Sequence, residues 1–392
     1  MFTSPPFRTP VSNPRVVLVT HYFPSHGGGV EAVAGELASR LSASGKAEIV
    51  WYSSDTDAPP LDSPGLRHVP IGAWNIAERR FGFPYPLWSP SGLAKLARAV
   101  READAIHLHD CLYLPSVVAW AAARLARRPV IVTQHIGAIP YRNPLLRAAL
   151  AVANRIFGTL VLGSATRTVF ISETVRRYFA GFVRFRSPPP VVPNGVDTER
   201  FLPLNEPRRE VLRASLGIVE NQPLLLFVGR FVEKKGLPLL RQLAQRFPHA
   251  RWIFAGWGPL DPSGWRLANV SVSGKLTREA LVPLYQCADL LVLPSVGEGF
   301  PLVVQEAMSC GTPALIASET AAACPAAGAL LLHEPLQSND DAERWSARLQ
   351  ALLASRQSLP ELRPRVAAFA RGHWSWTSCA EHYAGIFAAC VR

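Results

Sequence analysis

The sequence predicts an α/β protein built from two doubly wound domains, and three observations carry that prediction. The chain has 392 residues, whereas a single hydrophobic core stops growing at roughly 250–300. Apolar, strand-like runs alternate with helical patterns, which is the pattern of a parallel sheet covered by helices. The alternation halts once, in an Arg- and Pro-rich stretch at 181–222, and then restarts. That stretch is the expected linker.

In the first half, Arg15–Thr20 (RVVLVT) reads as a strand. A helix follows from about Val30, with Val30, Val33, Ala34, Leu37 and Leu41 on one face. Further strands are expected at Ala47–Tyr52, Ala105–His109, Val130–Thr133 and Thr168–Ile171, with a helix at Pro90–Glu102. In the second half the strands are Leu224–Val228, Arg251–Ala255, Val270–Ser273 and Leu290–Pro294. Helices are expected at about Leu237–Phe247, Arg278–Ala288 and Pro301–Cys310.

Composition narrows the function classes. Hydrophobic residues make up 48%, enough for two cores, and 18% charged residues are too few for a disordered or coiled-coil chain. The six cysteines include no C-x-x-C pair, so neither a metal framework nor a disulfide framework is expected, and they read as reduced thiols of a cytosolic protein. The opening MFTSPPFRTPVSNP lacks an apolar signal core. The longest apolar stretch, Pro144–Gly163, contains Arg147, Asn154 and Arg155; it reads as a core helix, ahead of a helix on a membrane surface, and not as a span.

The net charge is +12, of which +10 falls in residues 1–195. A basic half suits a phosphorylated ligand or an anionic membrane, with a plain solubility effect equally open. It also fits nucleic acid, but the aromatic-basic modules of nucleic-acid binders are missing.

Four motifs carry possible chemistry. His26-Gly27-Gly28-Gly29 lies between a strand and a helix, where Gly28 and Gly29 let backbone approach a phosphate at a helix N-terminus. Ala32 occupies the position where the dinucleotide fingerprint needs its last glycine, so that fingerprint is absent. Arg230 and Lys235 follow the strand LLLFVG, at the end where open α/β sheets bind ligands. A fork and a point charge suit a diphosphate; a solvated basic turn with Glu233 as partner is equally open. Glu298-Gly299-Phe300-Pro301-Leu302 leads into a helix with Pro301 at its first position, Gly311 at C′ and Pro313 beyond. Free amides near Leu302–Val304 would face phosphates there. Glu306 in the second turn would offer two acceptor oxygens to neighbouring ribose hydroxyls, and Glu298 would accept from sugar hydroxyls. His135, at the end of VIVTQ, suits either a ligand contact, acid/base work or a structural role. His107 and His109 point to one face of a strand, where with Asp110 a structural role stands ahead of a metal site, and Asp55-Thr56-Asp57 reads as a turn.

Taken in order, HYFPSHGGGVEAV (21–33), VTQH (132–135), FISETV (170–175), VVPNGVDTERF (191–201), LLFVGRFVEKKG (225–236), WIFAGWGP (252–259) and EGFPLVVQEAMSCGTP (298–313) resemble a family-four glycosyltransferase of the GT-B fold. The resemblance runs from about Val16 to the C-terminus. It implies two Rossmann-like domains facing across a cleft: 1–195, joined by a final helix at 373–392, and 196–372. It implies a retaining transfer of a sugar from a UDP- or GDP-sugar to a glycan or lipid-linked acceptor, without metal or cofactor. Under it, Arg230 and Lys235 bind the donor diphosphate and Glu306 the ribose. Glu298 and the backbone amides of Phe300–Leu302 hold the transferred sugar, Gly28 and Gly29 approach the donor phosphate and acceptor, and His135 contacts the sugar. A degenerate sugar-nucleotide-binding subunit and a GT-B epimerase or phosphorylase are the alternatives. The segment ETAAACPAAGALLL (319–332) departs from the family pattern, and the aromatic, basic ERRFGFPYPLWSP (78–90) is placed on the acceptor side. With the basic half, that segment suggests a cytoplasmic enzyme touching the inner face of an anionic membrane.

Overall fold

The computed structural model describes residues 13–81, 85–138, 144–297, 299–336, 340–355 and 358–391. They form two compact units, 13–194 with 376–391, and 195–375.

The N-terminal unit is a six-stranded parallel sheet: β1 (Arg15–Val19), β2 (Glu48–Ser54), β3 (Leu66–Ile71), β6 (Ala105–His109), β7 (Val130–Gln134) and β8 (Arg167–Phe170), with a small hairpin of β4 (Ala73–Trp74) and β5 (Leu87–Trp88) to one side. The order is β3-β2-β1-β6-β7-β8, so the sheet grows one way from β1 and then the other. The central strands are buried on both faces because helices cover both. These are α1 (Gly29–Ala43), α3 (Pro90–Glu102), α4 (Leu114–Leu125), α5 (Pro144–Phe157) and α6 (Glu173–Ala180), with a short α2 (Ile76–Phe81) after the hairpin's first strand. Helix α3 begins where Ser89 accepts from the Gly92 amide at 3.2 Å and Pro90 pre-sets the first turn.

The C-terminal unit repeats the plan with β9 (Leu224–Val228), β10 (Arg251–Ala255), β11 (Val270–Gly274), β12 (Leu290–Leu293), β13 (Ala314–Ala317) and β14 (Leu331–Glu334), ordered β11-β10-β9-β12-β13-β14. Its helices are α7 (Glu206–Ser215), α8 (Leu237–Arg246), α9 (Arg278–Cys287), α10 (Leu302–Ser309), α11 (Ser318–Ala321), α12 (Asp341–Ala354) and α13 (Ser358–Trp374). The final helix, α14 (Trp376–Cys390), packs in the N-terminal unit, where the Tyr383 hydroxyl meets Thr133 Oγ1 at 2.8 Å.

Four sequence expectations change. Strand β3 is absent from the sequence reading because Pro70 interrupts it; at the sheet edge a proline costs no ladder bond, and there it sits. The 181–222 stretch is not all linker. Val192 N–H bonds to Phe170 O at 2.8 Å within the first unit. Helix α7 belongs to the second, anchored by arginines rather than by an apolar face, which is why periodicity misses it. Residues 319–332 end in β14, the edge partner of β13. Helix α5, expected in a core, lies largely exposed: only 22% of Pro144–Leu162 is buried.

The anchor of α7 is an ionic knot under the sheet. Asp289 accepts from Arg209, from Arg213 at 3.1 Å and from the Leu224 amide at 2.7 Å. Arg363 bonds the Ala288 and Gln286 carbonyls beside it, and burial together with the Arg209 charge pulls its guanidinium down to about 10. Asp289 is the carboxylate that joins these arginines to β9. Asp289→Ala is expected to destabilise the C-terminal unit by about 3 kcal/mol, because it strands buried guanidinium groups; urea unfolding reads this as a lower midpoint.

Candidate active site

Both sheets reverse direction at a switch point, between β1 and β6 in one unit and between β9 and β12 in the other. The loops leaving the C-terminal ends of those strands diverge there and leave a crevice. The candidate residues gather at these two edges.

At the N-terminal unit's edge, β1 runs into His21 and Tyr22. His21 Nε2 lies 2.8 Å from Glu31 Oε1, both buried, and its ring stacks on Tyr113 with centroids 3.8 Å apart. Tyr22 stacks on His26 at 3.7 Å. His26 in turn contacts Asp57 at 2.8 Å and Glu78 at 3.1 Å, and the Tyr22 hydroxyl donates to Glu78 at 2.8 Å. The turn at Asp55–Asp57 therefore reaches the glycine loop, and so does the 78–90 segment, whose Tyr85 packs on Tyr113. Gly28 caps α1, and a Cβ there would strike the Glu31 carboxylate. At Gly29 a Cβ would meet nothing, so internal packing does not explain that glycine.

Three histidines stand on β6 and just beyond β7. His107 Nε2 pairs with Thr133 Oγ1 at 2.8 Å, and His109 Nδ1 with His135 Nε2 at 2.8 Å. Asp110, in the left-handed region at φ 65°, accepts from the His135 amide at 2.8 Å and the Ile136 amide at 3.1 Å. Burial pushes His107 and His135 down to about 3 and His109 well below its usual value, while it raises Asp110 to about 6. Burial thus favours the neutral, hydrogen-bonding form of the His135 ring. His21 Nδ1, Glu31 Oε2, His109 Nε2 and Asp110 Oδ2 are buried without a protein partner, a density of unmet polar atoms that marks a ligand region over a packed core. Among the described residues no group has the ligands for a metal ion.

At the C-terminal unit's edge, two loops are pressed backbone to backbone. A Cβ on Gly256 would collide with the Gly229 carbonyl, and the Phe231 amide donates to Trp257 O at 2.7 Å. This places the exposed Arg230 guanidinium 4.8 Å from the centre of the Trp257 ring, with Lys275 Nζ at 5.6 Å. Lys235 closes a helical turn ended by Gly236, whose φ of 74° and contact with Pro294 admit only glycine. The Val296 amide donates to Lys234 O at 2.9 Å, so the lysine turn adjoins the loop before α10.

Glu298 lies outside the described residues; Gly299, Phe300, Pro301 and Leu302 follow it into α10. Phe300 packs on Trp374 at 5.3 Å, so any ligand contact there falls to its backbone. Pro301 is the N-cap, one position earlier than expected, and has no N–H to give. The Val304 amide is also spent, on Pro301 O at 3.1 Å. Glu306 is 3% exposed. Arg278 donates to its Oε1 at 2.8 and 3.1 Å and the Tyr285 hydroxyl to its Oε2 at 2.9 Å. Burial raises its carboxyl despite Arg278.

Residues 27–200 match the sequence profile of Glycosyltransferase Family 4, and residues 208–371 that of Glycosyl transferases group 1. The chain belongs to glycosyltransferase family 4. A D-inositol 3-phosphate glycosyltransferase of Xylanimonas cellulosilytica is 29% identical to it, the match covering 93% of this chain and 92% of that one. Among solved structures, sucrose-phosphate synthase from Thermosynechococcus elongatus superposes with a TM-score of 0.73 at 19% identity, over 96% of this chain and all of the other. Anabaena HepE, solved with UDP and glucose, gives 0.71 at 17% over the same shares. The fold of this glycosyltransferase is GT-B.

Several residues of the two edges escape a reading of the family-4 sequence. Glu31 sits three positions after Gly28 in the motif itself. Trp257 stands between two obligatory glycines. Arg278, Tyr285, Asp57 and Glu78 have no local signal, since each meets its partner from at least 21 positions away.

Two outcomes follow for the glycosyltransferase. Between pH 6.5 and 4 the unfolded chain takes up protons on His107, His109 and His135 that the folded chain refuses, so stability falls as pH falls. Asp110 acts the other way, because its folded form holds a proton up to about 6. The melting temperature is therefore expected to drop through this window, and Asp110→Asn to steepen the drop. Glu306→Ala, which leaves the buried Tyr285 hydroxyl without its acceptor, is expected to cost about 2 kcal/mol, and Glu306→Gln much less; chemical unfolding separates them.

Proposed function

We propose that the enzyme is a retaining hexosyltransferase that moves a sugar from a UDP- or GDP-sugar to a glycan or lipid-linked saccharide. The observation that carries this is the cationic edge of the C-terminal unit, where Arg230 and Lys275 lie over Trp257 and Lys235 stands in the turn that reaches Gly229. A fork and two ammonium groups at the end of a parallel sheet suit a donor diphosphate. The start of α10 adds positive dipole there, with Leu302 as a backbone donor. Glu306 has its Oε1 taken up by Arg278, and its Oε2, held by Tyr285, retains an acceptor site for a ribose hydroxyl. HepE, of the same fold, was solved with UDP and glucose, which supports a nucleotide-sugar donor.

In this reading the cations stabilise the charge that grows on the departing diphosphate, a role that needs no metal ion and no cofactor. Configuration is retained because the acceptor attacks on the face the diphosphate leaves, whose oxygen takes the acceptor proton. His135 offers a neutral ring to a sugar hydroxyl, and Gly28 and Gly29 bring backbone to the donor phosphate and acceptor. Glu298 and the Phe300 and Leu302 amides hold the transferred sugar. The relatives' name favours a second acceptor class, a phosphorylated cyclitol.

Thermal shift with UDP, GDP, ADP and their sugar conjugates tests the donor. One nucleotide class is expected to raise the melting temperature, equally with and without EDTA. Arg230→Ala and Lys235→Ala are each expected to weaken that nucleotide about ten-fold or more, the loss of one charge-assisted contact; undiminished affinity in both removes the diphosphate assignment. Nucleotide release with inositol 3-phosphate against lipid-linked saccharides decides the acceptor.

A further inference from the structure

The face of the N-terminal unit formed by α5 has an arrangement that sugar transfer does not explain. Pro144–Leu162 is long and apolar enough to cross a membrane by length and composition. It does not leave the unit, because it joins β7 to β8, which are parallel neighbours in one sheet. Its inner side is fixed in place: Asn154, Gly158, Val161 and Leu162 are buried, and Gly158 rests on Phe179.

The outer side faces solvent with the wrong chemistry for it. Leu145 is 79% exposed, Val152 58%, Ile156 50% and Leu160 48%. With Ala148 and Ala149 between them, these residues recur at helical spacing and form one apolar stripe. About 28 Å of helix carries it at the usual rise. A soluble surface helix puts polar residues on this side, whereas here Arg147 and Arg155 are its exposed charges.

Charge along the chain segment that carries the stripe has a single sign, and Glu173 just beyond it is paired with Arg176 and Arg177. From Cys111 to Ser172 the chain holds seven arginines and no Asp or Glu. Exposed Arg124 and Arg184 line a shallow groove with Trp120, Leu160 and Phe182 at the end of the stripe. Arg155 lies over Phe182 at 5.7 Å. A second copy of this chain would bring arginines against arginines. An anionic bilayer meets both features: apolar side chains enter the acyl boundary and guanidinium groups reach the lipid phosphates.

We propose that α5 and the helical turn Gly158–Leu162 that continues it seat the enzyme in the plane of an anionic leaflet, with Leu145, Val152, Ile156 and Leu160 inserted and Arg147, Arg155, Arg124 and Arg184 on the headgroups. For its purpose this rests on the reading of a lipid-linked acceptor, while the surface itself can be tested without any sugar. In the 78–90 segment, by comparison, Tyr85 packs on Tyr113 and Glu78 accepts from the Tyr22 hydroxyl.

The test is co-sedimentation of the full chain with vesicles of phosphatidylcholine alone or with about a third phosphatidylglycerol. The wild type is expected to bind the anionic vesicles at least ten-fold more tightly and to release at high salt. Two variants on exposed positions, Val152→Ser/Ile156→Ser/Leu160→Ser and Arg147→Glu/Arg155→Glu, are each expected to lose ten-fold or more of that binding. Their response to nucleotide in thermal shift should equal the wild type's, which shows the fold intact. No binding by the wild type, equal binding to both vesicles, or undiminished binding by the variants overturns the proposal. So does light scattering in which the serine variant turns a dimer into a monomer, since a second copy then covers the stripe. A failed nucleotide response with intact vesicle binding would instead count against the donor reading alone.

Discussion

Everything at the two edges depends on one strand in each sheet pairing in parallel on both sides. β1 pairs with β2 and β6, and β9 with β10 and β12. Because parallel strands need crossovers, the chain covers one face of the sheet on its way out and the other on its way back. The loops on either side of β1 and β9 must therefore part. Evolution did not need to carve a recess into either unit; the hydrogen-bond ladder leaves one, and the side chains that line it were free to specialise.

They specialised in opposite directions. Around β1 the polar groups are packed in: three histidines kept neutral by burial, an aspartic carboxyl raised to about 6, and paired carboxylates around His26. Around β9 the cations are near the surface and rest on an indole, a neutral support that leaves their positive potential intact. The ionic knot at Asp289 secures the opposite end of β9.

How much was legible followed the range of each interaction. The two doubly wound units, the positions of most strands along the chain, the loops bearing Gly28, Arg230 and Lys235, and the helix bearing Glu306 could be read because strand runs, glycines and caps act over a few residues. The partners could not. Nothing near Glu306 in sequence announces Arg278 or Tyr285, and nothing near His26 announces Glu78. Pro70 hid an edge strand that tolerates it, and the arginine-rich α7 hid because its anchor is ionic. Helix α5 shows the deepest ambiguity: an apolar composition reports what a helix avoids, namely water, but not what takes water's place.

Asp110 shows how two demands can meet in one side chain. Its backbone lies in the left-handed region, which favours Gly, Asn and Asp. Its carboxylate spans two successive amides of the neighbouring strand's exit, those of His135 and Ile136. Glycine would satisfy the first demand and abandon the second; glutamate would keep an acceptor but resist the turn. The position is therefore a bottleneck in sequence space, with asparagine as its one near neighbour. A lineage that drifts there must either come straight back or rebuild the strand exit that carries His135.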